Sequence, residues 1–336
     1  MTSTAGPPPR RAAATPAATA AWRDGAVAVV AGVASTFAAS TWFSRALYDR
    51  AAFDGQYDHG VYRPRVVGRE LVRAVHHVIG NPLPGWVSPS GRAGLPHGDL
   101  YSAMTLVNLV AFLAFATLAH VVVGRAGLPE PHRTLVFATL VLAVAATGYV
   151  VTPYDQLSYV LLLAALVAAT ARPPWDLAAP VLVAVGVANR ESALLAVAAL
   201  WAVWWVRRDD RRLATIAATS SLAGVAAYAS VRVGAAQGGA GPSLWSGLTL
   251  AGNVGRLTGW VGALLLVALL VWWRGTAEVA GLGTSGEART AVRAYWLLAL
   301  PYLLVAGLTG YWFEVRLLAP VLVGELWVRA RSGPVA

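Results

Sequence analysis

Long runs of apolar residues alternate along the chain with short polar breaks. Ten such runs stand out, at residues 25–43, 101–123, 134–151, 157–171, 177–188, 192–206, 213–231, 257–273, 292–309 and 313–328. A backbone in lipid must satisfy its own N–H and C=O groups, and these runs are too long and too evenly apolar for barrel strands, so they predict α-helices. Tryptophans fall near many of their ends, at Trp42, Trp175, Trp205, Trp273, Trp312 and Trp327, where interfacial anchors belong. The expected fold is all-α, a polytopic transmembrane helical bundle of about ten spans.

Two stretches complicate that pattern. The run at 177–188 would reach only about 18 Å as a helix, against a hydrocarbon core of roughly 30 Å. It contains Pro180 and Gly186 and runs straight into Asn189-Arg190-Glu191. Residues 176–206 are therefore either a short span with a very tight turn or a broken helix that holds the triplet inside the membrane. Near the N-terminus, Ala38-Ala39-Ser40 offers a weak leader-cleavage site. The run before it is longer than an ordinary leader core and long enough to span, so it reads as the first span. Residues 1–21 are mostly Ala, Pro, Thr and Ser, cannot bury a core, and are expected to form a disordered tail ahead of a single membrane domain at 22–336.

Composition agrees with the pattern. Of the 336 residues, 57% are hydrophobic and 12% charged, whereas soluble domains carry about a quarter charged residues. Mean hydropathy is +0.58. Cysteine is absent, which removes disulfides and thiolate chemistry. All 26 basic residues are arginine, and the net charge is +10. Because those charges are spread between the apolar runs, their natural partner is the anionic surface of a bilayer, not nucleic acid. If all ten runs cross, fifteen arginines fall on the side of the N-terminus; the short loops of the other side hold only Arg190, Arg232, Arg256 and Arg316. That contrast places both termini in the cytoplasm of a multi-pass protein of the cell's inner (plasma) membrane, with Arg207-Arg208-Asp209-Asp210-Arg211-Arg212 as the firmest pin.

The candidate chemistry gathers on the opposite side. The extracytoplasmic loop at 44–100 carries Asp49, Asp54 and Asp58, then Gly60-Val61-Tyr62-Arg63-Pro64-Arg65. Within residues 66–79, Val67, Leu71, Val75 and Val78 recur at helical spacing while Arg69, Glu70, Arg73, His76 and His77 point elsewhere. This spacing predicts an amphipathic helix lying on the membrane surface. For any single aspartate here, a solvated acid on a connecting loop is the simpler reading, but a connecting loop has no need of this length. Asp155 in Thr-Pro-Tyr-Asp-Gln, the Arg190–Glu191 pair, Arg232, and Glu314 with Arg316 fall on the same side. Charges against apolar spans pair with one another or line a cavity, so a structural ion-pair network and a functional site both fit them. Adjacent His76 and His77 would point about 100° apart on a helix, poor geometry for one metal. No His-Glu-x-x-His, Gly-rich nucleotide loop or Gly-x-Ser-x-Gly is present.

This arrangement resembles the polytopic GT-C class of glycosyltransferases. The likeness lies in a first span entering from inside, a long outward loop with acids and a surface helix, and Ala/Leu-rich spans with Arg and Glu at their outer ends. Gly60-Val61-Tyr62-Arg63-Pro64-Arg65-Val66-Val67, Asn189-Arg190-Glu191-Ser192 and Glu314-Val315-Arg316 resemble motifs of uncharacterised bacterial membrane proteins placed near that class. The resemblance implies transfer of a sugar from a polyprenyl-phosphate donor to a glycan or lipid acceptor on the extracytoplasmic face. A carboxylate would serve as base for the acceptor hydroxyl, either Asp54 or Asp58, then Asp49. Arg190 and Arg316, with Arg65 and Arg63, would bind the phosphate, and Asp155, Glu191 and Glu314 would orient those arginines. Many members of the class carry a paired Asp-Glu just after the first span; here three spaced aspartates stand instead, which leaves the identity of the base open. Carboxylates suit Mg²⁺ or Mn²⁺, but no ligand spacing marks a metal site. A transporter or lipid flippase would share many of these features and usually shows two related halves, which this chain lacks; a non-catalytic membrane subunit is the third class.

The lack of native cysteine makes the topology directly measurable. A cysteine placed at Ser90 is expected to react with a membrane-impermeant maleimide on intact cells, and one placed at Asp209 only after permeabilisation. The reverse result would invert the topology.

Overall fold

The computed structural model describes residues 16–41, 49–58, 62–82, 98–149, 152–236, 249–312 and 314–332. Among these residues there is no strand. The helices are α1 (Pro16–Thr41), α2 (Arg50–Tyr57), α3 (Val66–Ile79), α4 (Tyr101–Gly124), α5 (His132–Ala145), α6 (Asp155–Ala169), α7 (Ala178–Asn189), α8 (Leu194–Val206), α9 (Arg211–Ala236), α10 (Leu250–Val254), α11 (Leu257–Val279), α12 (Gly286–Thr309) and α13 (Ala319–Ser332). Four of them, α4, α9, α11 and α12, are long and apolar enough to cross a membrane. Four shorter apolar helices follow at His132–Gly148, Asp155–Ala169, Trp175–Asn189 and Glu191–Val206. α1 starts at Pro16 and so takes in residues 16–21 of the stretch expected to be a disordered tail; residues 1–15 lie outside the described residues.

Polar contacts between helix termini sort the bundle into two ends. At one end, Asp24 of α1 meets His120 of α4 and Arg133 of α5. Asp176, just before α7, pairs there with Arg212 of α9, and Arg207 after α8 bonds the Arg331 carbonyl of α13. At the other end, Asn189 after α7 bonds the Tyr154 carbonyl before α6, and Thr249 before α10 bonds the Gly310 carbonyl after α12. The long helices α1, α4 to α9 and α11 to α13 therefore run alternately up and down. α7 and α8 form an antiparallel pair joined by a single 3₁₀ turn at Glu191–Ala193.

α13 is the centre of the bundle. Its residues 319–328 are all buried, with α12, α8, α6, α4 and α5 packed around them. Close approach depends on small side chains, as in membrane helix pairs generally. A Cβ on Gly324 would collide with the Tyr295 hydroxyl, which donates to the Val321 carbonyl at 2.9 Å. Glu325, fully buried, accepts from Trp296 Nε1 at 2.9 Å and Arg329 Nε at 2.6 Å. On the outside, α11 and α12 leave Leu264, Leu265, Val271, Leu297 and Leu304 exposed. An apolar belt of this extent suits hydrocarbon and not water.

Ahead of α4, α2 and α3 form a helical pair in the region read as the long loop. The expected helix at 66–79 is present, but two faces of it are apolar. Gly68 and Val72 are buried against the bundle, while Leu71 and Val78 are exposed. Gly68 comes so close to the Pro153 carbonyl that a Cβ there would overlap it.

Removing the buried acid of α13 strands Arg329. Glu325→Ala is expected to cost about 3–5 kcal/mol of stability, whereas Glu70→Ala, on the exposed side of α3, costs less than about 1 kcal/mol. Denaturant unfolding in detergent micelles measures both; similar losses would contradict the packing described for α13.

Candidate functional site

The Asp155 end of the bundle gathers residues far apart in sequence. The first turn of α6 is set by Thr152, whose Oγ1 accepts from the Asp155 N–H at 3.1 Å. This aims the Asp155 carboxylate into the interior, where it is 2% exposed. Asn189 ends α7 and locks the turn: its Nδ2 donates to the Tyr154 carbonyl at 2.9 Å, and its Oδ1 accepts from the Gly68 N–H at 3.0 Å. The next residue, Arg190, is extended, so its side chain leaves the helix axis and meets Asp155 Oδ1. Arg316 sits in the 3₁₀ turn Val315–Leu317 that leads into α13. Its Nη1 reaches Asp155 Oδ2 at 3.1 Å, and Nε and Nη2 grip both oxygens of Glu314 at 3.0 and 2.8 Å. Asp155, Arg190, Glu314 and Arg316 are all buried, and their formal charges cancel. A buried ionic group persists only where each charge is paired and hydrogen-bonded, as here.

A second, looser set adjoins the first. Arg65, at the start of α3, lies over the rings of Tyr154 at 4.3 Å and Tyr62 at 4.8 Å, the geometry of a cation–π contact. Its carboxylate partner is Glu191, at 3.5 Å. Glu191 is shared with Arg232 from the end of α9, at 2.8 Å. Over both sets, four arginines face three carboxylates, an excess of one positive charge. Arg65 is the least neutralised of the four. The hydroxyls of Tyr57 and Tyr154 and of Ser192 are buried near these charges without a hydrogen-bond partner among the described residues. Between α11, α12 and the turn before α13 runs an apolar groove of about 290 Å³, lined by Leu266, Val267, Leu303, Trp312, Leu317 and their neighbours. Leu317 directly follows Arg316, so the groove and the charged cluster share the turn before α13.

The three loop aspartates are not part of these sets. Asp49 caps α2, its Oδ1 accepting from the Ala52 N–H at 3.0 Å. Asp54 and Asp58 both bind one nitrogen, Arg73 Nη2, at 2.6 and 2.5 Å, and Asp58 also pairs with Arg69 at 3.4 Å. The hydrogen bond that Arg73 donates to Asp58, with a second to Asp54, holds its guanidinium above its ordinary pKa. Each carboxylate is about one third exposed. The stacked rings of Tyr57 and Tyr62, 5.7 Å apart, and the edge of Tyr154 form an aromatic group that adjoins Asp58 and Asp155 along the chain. Sequence reasoning anticipated one chamber; the structure has a buried cluster and a separate surface cluster. Arg63 lies half-buried in the turn before α3.

The acids read as orienting groups do orient arginines. Asp155 serves Arg190 and Arg316, Glu314 serves Arg316, and Glu191 serves Arg65 and Arg232 instead of its neighbour Arg190. Asn189, Tyr154, Tyr57, Gly68 and Arg73 were not read as site residues from the sequence, although Asn189 and Arg73 belong to the polar triplet and the surface helix noted there. For Asn189 the signal was its place at the head of the polar triplet; for the tyrosines and Gly68 there was none. A divalent cation does not fit the loop carboxylates as arranged, because the guanidinium of Arg73 already bridges them. Among the described residues no three His, Asp or Glu side chains gather as a metal would require. No family model, curated protein or solved structure matches the chain.

Asp155→Ala leaves the buried Arg190 without its ion-pair partner and Arg316 with Glu314 alone, and is expected to cost about 3–5 kcal/mol. Asp54→Asn, at a part-exposed pair, costs about 1 kcal/mol or less. Thermal unfolding of the two purified variants ranks them; the opposite order would remove Asp155 from the centre of the site.

Proposed function

We propose that the chain is a multi-pass protein of the cytoplasmic membrane, with α1, α4 to α9 and α11 to α13 crossing or dipping into the bilayer, both termini inside, and α3 lying on the outer surface. On this reading the Asp155 end faces outward and takes a polyprenyl-phosphate-linked sugar, which the protein transfers to a glycan or lipid acceptor. One observation carries the reading: Arg65, Arg190, Arg232 and Arg316, from four separate segments, converge on three carboxylates, an excess of one positive charge, and the turn that holds Arg316 also borders an apolar groove. Such a site suits a ligand that joins a phosphate to a hydrocarbon chain.

The roles follow from the contacts. Arg65, held flat on Tyr62 and Tyr154 with a loose carboxylate partner, is freest to turn its fork to a phosphate oxygen. Arg190 and Arg316 supply fixed positive charge in a low-dielectric setting, where it stabilises a leaving phosphate best. The prenyl chain lies along Leu303, Trp312 and Leu317. In transfer, the acceptor oxygen bonds the anomeric carbon, the sugar–phosphate C–O bond breaks, and its electron pair leaves on the polyprenyl phosphate. The acceptor proton passes to a carboxylate. Asp58 or Asp54 is the candidate base, since both sit on the outer helical pair within reach of an acceptor from water, provided Arg73 releases one of them. Asp49, as a helix cap, positions α2 in this scheme.

That last requirement favours a second reading. With Asp54 and Asp58 both held by Arg73, the same arginines and groove bind a lipid phosphate without chemistry, as in a flippase or a non-catalytic membrane subunit.

Reconstituted protein with a radiolabelled polyprenyl-phosphate sugar separates the two. Transfer is expected, with Asp54→Asn/Asp58→Asn lowering kcat about 10²-fold or more and Arg65→Gln raising the KM for donor. Transfer at the parent rate by the double variant removes these acids as bases. Lipid translocation in vesicles without covalent product selects the second reading, and an unchanged donor affinity in Arg65→Gln removes the phosphate site.

A further inference from the structure

At the opposite end of the bundle, a cavity of about 80 Å³ lies between the ends of α6, α8 and α13 and the start of α9. One water needs about 10–15 Å³ of such space, so a group the size of a phosphate has room. Val203, Leu213 and Trp327 supply its apolar lining, and Arg207, Asp210, Arg212 and Arg331 its polar lining.

The charges in this cavity do not balance. Arg212 is paired with Asp176 at 2.8 Å. The single acid in the lining, Asp210, caps α9, its Oδ1 accepting from the Leu213 N–H at 2.9 Å, and its one negative charge faces both Arg207 and Arg331. Arg207 spends one nitrogen on the Arg331 backbone carbonyl, at 2.6 Å, which leaves its charge unmatched. Arg331 is the most exceptional. Its Nε is buried without a hydrogen-bond partner among the described residues. The charges acting on it are Arg207 and Arg125, of like sign, against Asp210 alone. No carboxylate among the described residues forms an ion pair with Arg207 or Arg331. The first turn of α9, a 26-residue helix, adds the positive end of its dipole. Arg207, Arg212 and Arg331 against Asp210 and Asp176 leave one positive charge at the cavity, which an anion there stabilises.

The surroundings set the depth of the site. Trp175 and Trp205 are both well exposed at this end, and Arg208 lies over the Trp205 ring at 4.3 Å. Exposed tryptophans of this kind sit at the level of lipid headgroups.

The geometry points to a phosphate-binding site formed by Arg207 and Arg331, with Arg212 and the start of α9, that takes either inorganic phosphate or the phosphate of an anionic lipid headgroup. The site is separate from the one around Asp155 and does not depend on the activity proposed for it.

Thermal unfolding of the full-length protein tests this with two probes. In detergent, inorganic phosphate is titrated against chloride at matched ionic strength; in nanodiscs, a zwitterionic bilayer is compared with one containing phosphatidylglycerol. The wild-type midpoint is expected to rise with at least one probe: phosphate alone identifies a free-anion site, phosphatidylglycerol alone a headgroup site. Arg207→Gln/Arg331→Gln is expected to weaken the apparent affinity about tenfold or more. Should that variant misfold, Arg331→Lys, which keeps the charge and loses the fork, is expected to show a weakened response. The surface variant Arg211→Gln keeps the wild-type response, which excludes binding to general surface charge. A wild-type midpoint that neither probe moves, or a full response in the charge-neutralised variant, overturns the assignment.

Discussion

One carboxylate holds the bundle's polar end together. Asp155 gives one oxygen to Arg190 and the other to Arg316, and by doing so ties the start of α6 to the α7–α8 turn and to the entry of α13. Burying two guanidinium groups this far from water is tolerable only with matched acids at hydrogen-bond distance, which Asp155 and Glu314 supply. The neighbouring features follow from that requirement. Asn189 must end α7 where it does, so that Arg190 can leave the helix, and its amide at once fastens α3 and the Tyr154 loop. Gly68 must lack a side chain, because the Pro153 carbonyl occupies the space.

Most of the helical layout was legible in the sequence, for a simple reason. Each of the ten apolar runs coincides with a helix, because a backbone without water has few alternatives to internal hydrogen bonding. Boundaries held best where a polar cluster followed, as at Arg207–Arg212, and least at 313–328, where α13 itself begins only at Ala319 after a 3₁₀ turn. The five-residue α10 and the eight-residue α2 left no periodic signal, being too short to show one. That Leu71 and Val78 would stay exposed while Gly68 and Val72 packed was invisible too, since a helical stripe does not say which neighbour covers it.

The site was legible in its members and not in its partition. Charges at the ends of apolar runs are rare enough to be noticed singly, so Asp155, Arg190, Glu314 and Arg316 stood out, and they do meet. Asp54 and Asp58 stood out equally, yet their partner is Arg73 on the adjacent helix, a pairing set by how α2 folds back on α3. Tyrosine gave no warning at all. Three rings from separate segments pack together, and an aromatic residue in a hydrophobic sequence carries no mark of its neighbours. On the proposed reading the separation of the two clusters lets a surface acid and a buried cation act on one substrate without neutralising each other.

The enclosure of α13 has a consequence for assembly. A helix wrapped on every side by others cannot be the last piece added to a finished body. The helices ahead of α13 are synthesised first, and until α13 follows, the space it fills has neither its apolar wall nor Arg316. Arg190 and Asp155 can find each other earlier, but the four-charge cluster closes only when that helix slides into place. Completion of the polar end thus coincides with completion of the core.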